Sequence, residues 1–147
     1  MKRFSFNLEK VLSLRKFREQ ETEIELGKAI GVLSEIERNI RTVAEERMRT
    51  GDQFSGNGAI IRAYMMYTAR LDLEKERLLV EAAKAELMVE AARTHYLEAS
   101  RERKVLDKLK EKRESEYRKV ILAEETKALD DQAAGKNIDQ NLLGQNL

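Results

Sequence analysis

Apolar residues recur every seven positions along two stretches of this chain. In the first, Leu26, Leu33 and Ile40 share one position, and Ala29, Ile36 and Val43 each follow three residues later. In the second, Leu71, Leu78, Ala85, Ala92, Ala99 and Leu106 are seven apart, and Ala82, Val89 and Tyr96 fill the alternate position. A 3-then-4 spacing keeps one narrow stripe turned toward a partner helix, which is the a/d seam of a coiled coil. Many residues of the second seam are alanine, so the helices can approach closely.

The two stretches are separated by Thr50-Gly-Asp-Gln-Phe-Ser-Gly-Asn-Gly-Ala59, the one strong turn cluster in the interior. The pattern predicts an all-α fold, a long two-helix antiparallel coiled-coil hairpin over 1–134. Helix one covers about 6–49, the turn about 50–59 and helix two about 60–133. The Asn-, Gln- and Gly-rich tail, 135–147, reads as disordered. Folding at the centre of the turn pairs residues whose numbers add to about 110. Leu33 then lies near Leu78, and Leu8 near Glu102. Helix two runs on for about 30 residues without a partner in its own chain. That stretch carries Leu106, Leu109, Tyr117, Val120 and Ile121, with apolar surface left to bury.

Followed backwards, the first seam meets Thr22, Glu19 and Arg15 and breaks. The apolar residues there are Leu8, Val11, Leu12, Leu14, Phe17 and Ile24, so the contact face rotates around the helix. Gly27 and Gly31 each cost a helix about 1 kcal/mol against alanine. Close helix–helix approach is the ordinary reason to keep them, and contact with a partner is the other.

Composition sharpens this picture. Of 147 residues, 37% are charged, 41% hydrophobic and only 5% aromatic, with no proline. That is too little bulk for a globular core and suits an elongated rod. There are 28 basic and 27 acidic residues, a formal charge of +1, which argues against a nucleic-acid or polyanion protein as a whole. Cysteine is absent, which excludes disulfides and thiolate metal sites and fits the cytosol. No apolar run is long enough to span a membrane, and the basic start has no apolar segment after it to make a signal peptide.

Little in the chain suggests catalysis. His95 is the only histidine and reads as a helix-surface residue, so neither metal nor cofactor is expected. Two helices enclose no pocket that would shift a carboxylate for acid–base work, and the chain is not expected to be an enzyme. Gly56-Asn57-Gly58 lacks the strand and Gly-Lys-Ser/Thr of a phosphate loop. Two basic segments, 1–20 and 101–119, each carry a net charge of +4 and meet at one end of the hairpin. They are either a solvated face or a surface that docks on an acidic protein or anionic lipid. Beyond them lie Glu124, Glu125, Asp130 and Asp131. At the other end, Ile60, Ile61, Tyr64, Met65, Met66 and Tyr67 exceed what one narrow seam can bury. They either cap the hairpin around Phe54 or form an exposed protein-contact patch.

Three segments carry a family resemblance: Phe4-Ser-Phe-Asn-Leu8-Glu-Lys-Val-Leu12 with Arg15, Tyr64-x-x-Tyr67-x-x-x-Leu71, and Glu116-Tyr117-Arg118 followed by Glu124-Glu-Thr-Lys127-Ala-Leu129-Asp130-Asp131. With the hairpin layout, they make the chain resemble the FliJ family of flagellar type III export proteins over nearly its whole length. The resemblance implies an antiparallel coiled coil similar to the central stalk of rotary ATPases. It implies binding to the hexameric flagellar export ATPase, promotion of its assembly, and coupling to the membrane-embedded export gate protein and export chaperones. The location implied is the cytoplasm, peripherally at the cytoplasmic face of the inner membrane. Nucleic acid is not expected as a partner, because aromatic side chains are not interleaved with the basic ones. Tyr64, Tyr67 and Leu71 match the gate contact of helix two, and Ile40, Val43 and Arg47 occupy the facing row. The family often has tyrosines in that row, where this chain has Val43 and Arg47. Candidates for the ATPase-ring contact are Lys10, Arg15, Lys16, Arg113, Tyr117, Arg118, Val120 and Ile121. Two other classes fit the same pattern: a structural coiled coil that self-associates through the unpaired end of helix two, and a helix lying on a membrane surface.

Overall fold

The computed structural model describes residues 2–51 and 56–144. It is all-α, with two long helices packed together and no strand among the described residues. Helix α1 spans Glu9–Gly51 (43 residues) and α2 spans Gly58–Gly144 (87 residues). The chain divides into a turn unit, Arg15–Arg101, and a terminal unit, Met1–Leu14 with Glu102–Leu147.

In the turn unit α1 and α2 run antiparallel along the expected seams. On α2, Thr68, Leu78, Ala82, Ala85, Val89 and Ala99 are buried at heptad positions, with Leu71, Ala92 and Tyr96 half-buried between them. On α1, Leu26, Ala29, Leu33, Ile36, Ile40 and Val43 are half-buried. The register differs from the expected one. Arg47 pairs with Asp72, numbers that add to 119 rather than about 110. Leu33 is therefore level with the stretch between Ala85 and Val89, not with Leu78. The reason lies at the turn. The end of α1 at Gly51 is level with Thr68, so α2 starts about ten residues before the point that α1 reaches. The start of α2 is capped by Asn57. Its side-chain Oδ1 accepts the Ile60 N–H at 3.1 Å, which satisfies one of the four unpaired donors of a helix start. Gly56 just before it has φ +152°, and a Cβ there would meet the Ile60 side chain at 3.0–3.2 Å.

The seam of α1 does not break before Leu26. It continues through Thr22, Glu19 and Arg15 at the same 3-then-4 spacing, with Thr22 buried and the other two half-buried. Phe17 and Ile24 point out to solvent instead. The partner dictates this, because α2 keeps an unbroken heptad from Leu71 to Ala99 and a rotated α1 face would leave it. The polar residues fit at low cost. The Thr22 hydroxyl is shared between the carbonyls of Arg18 and Glu19, at 3.0 and 2.9 Å, so no donor is stranded. Arg15 can lay its aliphatic stem on the seam and keep its charge in water. Gly27 and Gly31 are not close-approach sites, since nothing lies within 4 Å of a Cβ built on either.

In the terminal unit the chain enters as an extended segment. Phe4, Phe6 and Leu8 alternate inward and Ser5 and Asn7 outward, the period-2 pattern of extended backbone. Phe6 is buried, Leu12 is completely buried, and the Phe4 ring lies 5.5 Å from that of Tyr117. The Glu9 carboxylate holds Lys110 Nζ at 2.8 Å, numbers that again add to 119. The part of α2 expected to stand unpaired is thus covered as far as Ile121: Leu106, Leu109, Tyr117 and Ile121 are half-buried. Leu122 to Gly144 are all exposed, and α2 continues helical through Gly135, where a disordered tail was expected to begin. No proline interrupts this stretch.

Candidate functional site

Two surfaces collect the candidate residues, one in each unit. In the turn unit the surface sits beside the turn. Tyr64 is half-buried on the seam, whereas Tyr67 lies at its edge and donates its phenol to Glu46 Oε1 at 3.0 Å. Arg47 Nε meets Asp72 Oδ1 at 3.1 Å. Leu71 is half-buried between these two cross-helix pairs in sequence. Ile60, Ala63, Tyr64 and Tyr67 line an open hollow of about 340 Å³. Met65 and Met66 next to it are exposed, as the excess of apolar residues here required. Phe54, the expected cap, lies outside the described residues. Ile40 and Val43 are seam residues half-buried further along α1 and add little exposed surface.

The hydrogen bond from Tyr67 to Glu46 raises the tyrosine pKa, and the carboxylate charge adds to the rise, because ionising the phenol would lose the bond and set two anions together. Replacing Glu46 by alanine should therefore bring one tyrosine midpoint down in an ultraviolet titration. An unchanged titration curve would show that the bond does not form in solution.

The surface of the terminal unit is built on the extended N-terminal segment. Lys2 to Asn7 and the α2 residues Arg113, Glu116, Tyr117 and Val120 line an open cleft of about 410 Å³. A second hollow, about 260 Å³, is bounded by Lys2, Tyr117, Val120, Ile121, Glu124 and Glu125. Three basic residues, Lys2, Arg3 and Arg113, thus surround the tilted Phe4–Tyr117 pair, with Val120 exposed beside it. Lys10 is exposed, and Arg118 pairs with Glu114 one turn away. Arg15 and Lys16 belong to the other unit, so the structure does not collect all eight residues expected at this surface. Sequence reasoning missed the part played by Phe4 and Phe6. The signal was the alternation of Phe4, Phe6 and Leu8, which is a strand-like period and not a helical one.

Both surfaces are open, and among the described residues no group of histidines and carboxylates is arranged to hold a metal ion. Among the described residues no helix is long and apolar enough to cross a membrane.

Comparison with known proteins gives one assignment. The family model described as "Flagellar FliJ protein" matches residues 4–141. No curated protein and no solved structure matches the chain. The match covers the hairpin seams, the surface beside the turn, most of α2 and the terminal surface apart from Lys2 and Arg3. The chain belongs to the flagellar FliJ family and so has a role in flagellar protein export.

Proposed function

We propose that this protein is the coiled-coil element that binds the flagellar export ATPase and helps its hexamer to assemble. The terminal unit docks on the ATPase, and the surface beside the turn meets the membrane-embedded export gate. Export chaperones are the third class of partner. The observation that carries this reading is the terminal cleft, where exposed Val120 and the basic Lys2, Arg3 and Arg113 frame an aromatic pair. An apolar centre with a charged rim is the composition of a protein-contact surface. The basic rim supplies attraction to an acidic partner at a distance. Promotion of assembly follows by linkage, since a ligand that prefers the hexamer shifts the equilibrium toward it. ATP hydrolysis belongs to the partner.

The test adds the purified protein to the purified export ATPase and follows turnover against enzyme concentration. Stimulation should be greatest where the ring is dissociated, and it should weaken with salt. Arg113→Glu combined with Val120→Asp changes two exposed positions. It should raise the concentration for half-maximal stimulation by about tenfold, the equivalent of 1.4 kcal/mol. No stimulation by the wild-type chain, with the ring shown competent, would remove this reading in favour of a self-associating structural coiled coil.

A further inference from the structure

Helix α2 carries a second heptad stripe on the side of the turn unit that faces away from α1. Met66, Leu73, Val80 and Leu87 are seven apart, and they are 73%, 67%, 56% and 72% exposed. The outermost position of a two-helix coil normally holds charged residues. Here four successive turns of the heptad hold large apolar ones. Ala69 and Ala83 follow two of them by three residues, the small neighbours that let another backbone come close. The inner and outer stripes share the same seven-residue period. A helix seated on the outer one would therefore follow the same supercoil without slipping out of register.

We propose that this stripe docks a third helix, contributed by a different protein, that is amphipathic and has lysine or arginine in its seam and acidic residues along one flank. The charges on α2 select this occupant. Glu76 takes the seam place between Ala69 and Ala83, and no ion pair involves it among the described residues. A basic residue opposite it is the favourable filling. Arg70 and Lys84 stand along one side of the stripe, likewise without an ion pair among the described residues. They ask for carboxylates on the facing flank. The same charges oppose a second copy of this chain. A parallel pair would put Glu76 against Glu76. An antiparallel pair that matched the apolar rows would put Arg70 against Lys84. A polar residue in the seam and like charges at its edges discriminate against the wrong partner more than they strengthen the right one. The inference rests on this face alone and does not depend on the ATPase reading.

The test uses the full chain and synthetic three-heptad helical peptides, made in both chain directions. Each carries leucine in one seam row, a lysine placed to meet Glu76, and glutamates on the flank that meets Arg70 and Lys84. A charge-swapped set exchanges the lysine and the glutamates. Fluorescence anisotropy should show a matched peptide binding at least about tenfold more tightly than its swapped counterpart. Leu73→Glu, at an exposed position that leaves the hairpin helical, should abolish binding. The triple variant Glu76→Lys, Arg70→Glu, Lys84→Glu should prefer the swapped peptide, a reversal that a structural defect cannot imitate. Equal binding of both sets, or no binding by either, overturns the proposal. So does a wild-type chain whose self-association by light scattering is lost in Leu73→Glu, because a second copy then fills the stripe. Sedimentation with phosphatidylglycerol vesicles that depends on Leu73 would assign the stripe to a lipid surface and overturn it equally.

Discussion

Replacing Leu78 by aspartate should unfold the turn unit, with a loss of about 4 kcal/mol or more in equilibrium denaturation. Leu78 is 4% exposed, the most enclosed large side chain of that unit. Its neighbours along the α2 seam are Leu71, Lys75, Ala82 and Ala85, and the one charge among them, on the exposed Lys75, lies outside the buried site. The carboxylate would have to be buried unpaired or turned out to water, and turning out would open the seam. The leucine's own packing is lost as well, a further part of the cost. Leu33→Asp makes a useful contrast. Leu33 is only half-buried, so its aspartate can reach water and the loss should be clearly smaller. Urea melts followed by circular dichroism give both numbers. Equal losses at the two positions would mean that the seam is packed differently in solution.

The second large effect is expected at the opposite end of α1. Leu12 is 0% exposed, whereas Leu14, two residues on, is 67% exposed. Leu12→Ala should cost the terminal unit about 2–5 kcal/mol, the range for a buried leucine that leaves a cavity. Leu14→Ala should fall within about 0.5 kcal/mol of wild type, as surface substitutions do. The thin core of this unit gives the cavity few neighbours with which to refill it, so the first loss should show as early protease cleavage near the N-terminus. Similar sensitivity of Leu12→Ala and Leu14→Ala would show that α1 turns its other face inward there.

This pair of leucines also shows what could be read from the residues beforehand. The seam from Leu26 to Val43 and that from Leu71 to Leu106 were plain, because the first holds apolar residues in both positions of each heptad and the second holds them in one position throughout and in the other from Ala82 to Tyr96. Upstream, Arg15, Glu19 and Thr22 hid the seam while Leu14, Phe17 and Ile24 advertised a false one. Only the register imposed by α2 decides between them, and that is a property of the pair of helices. The pairing numbers failed for a related reason. The turn residues locate the bend, but they do not say that α2, starting at Gly58, runs about ten residues before it is level with the end of α1. Of the candidate residues, Tyr64, Tyr67, Leu71 and Arg47 are found near one another, as are Arg113, Tyr117, Val120 and Ile121. Phe4 and Phe6 were recognised only as part of a resemblance, since two aromatics in an extended segment give no helical signal.

The ion pair between Glu9 and Lys110 joins residues 101 apart in the chain, while Tyr67 and Glu46 beside the turn are only 21 apart. Closing the longer loop from an unfolded chain costs about 1.4 kcal/mol more in entropy, by the logarithmic dependence on length. The economical route is to nucleate at the turn and zip toward the termini, so the terminal unit is completed last. During synthesis Phe4 and Phe6 leave the ribosome more than a hundred residues before Tyr117. A nascent chain halted at Arg101 can already close the turn unit, with its Tyr67 surface and its outer stripe. The terminal cleft cannot exist until Tyr117 and Val120 have emerged, so that surface is withheld from partners until synthesis has passed them.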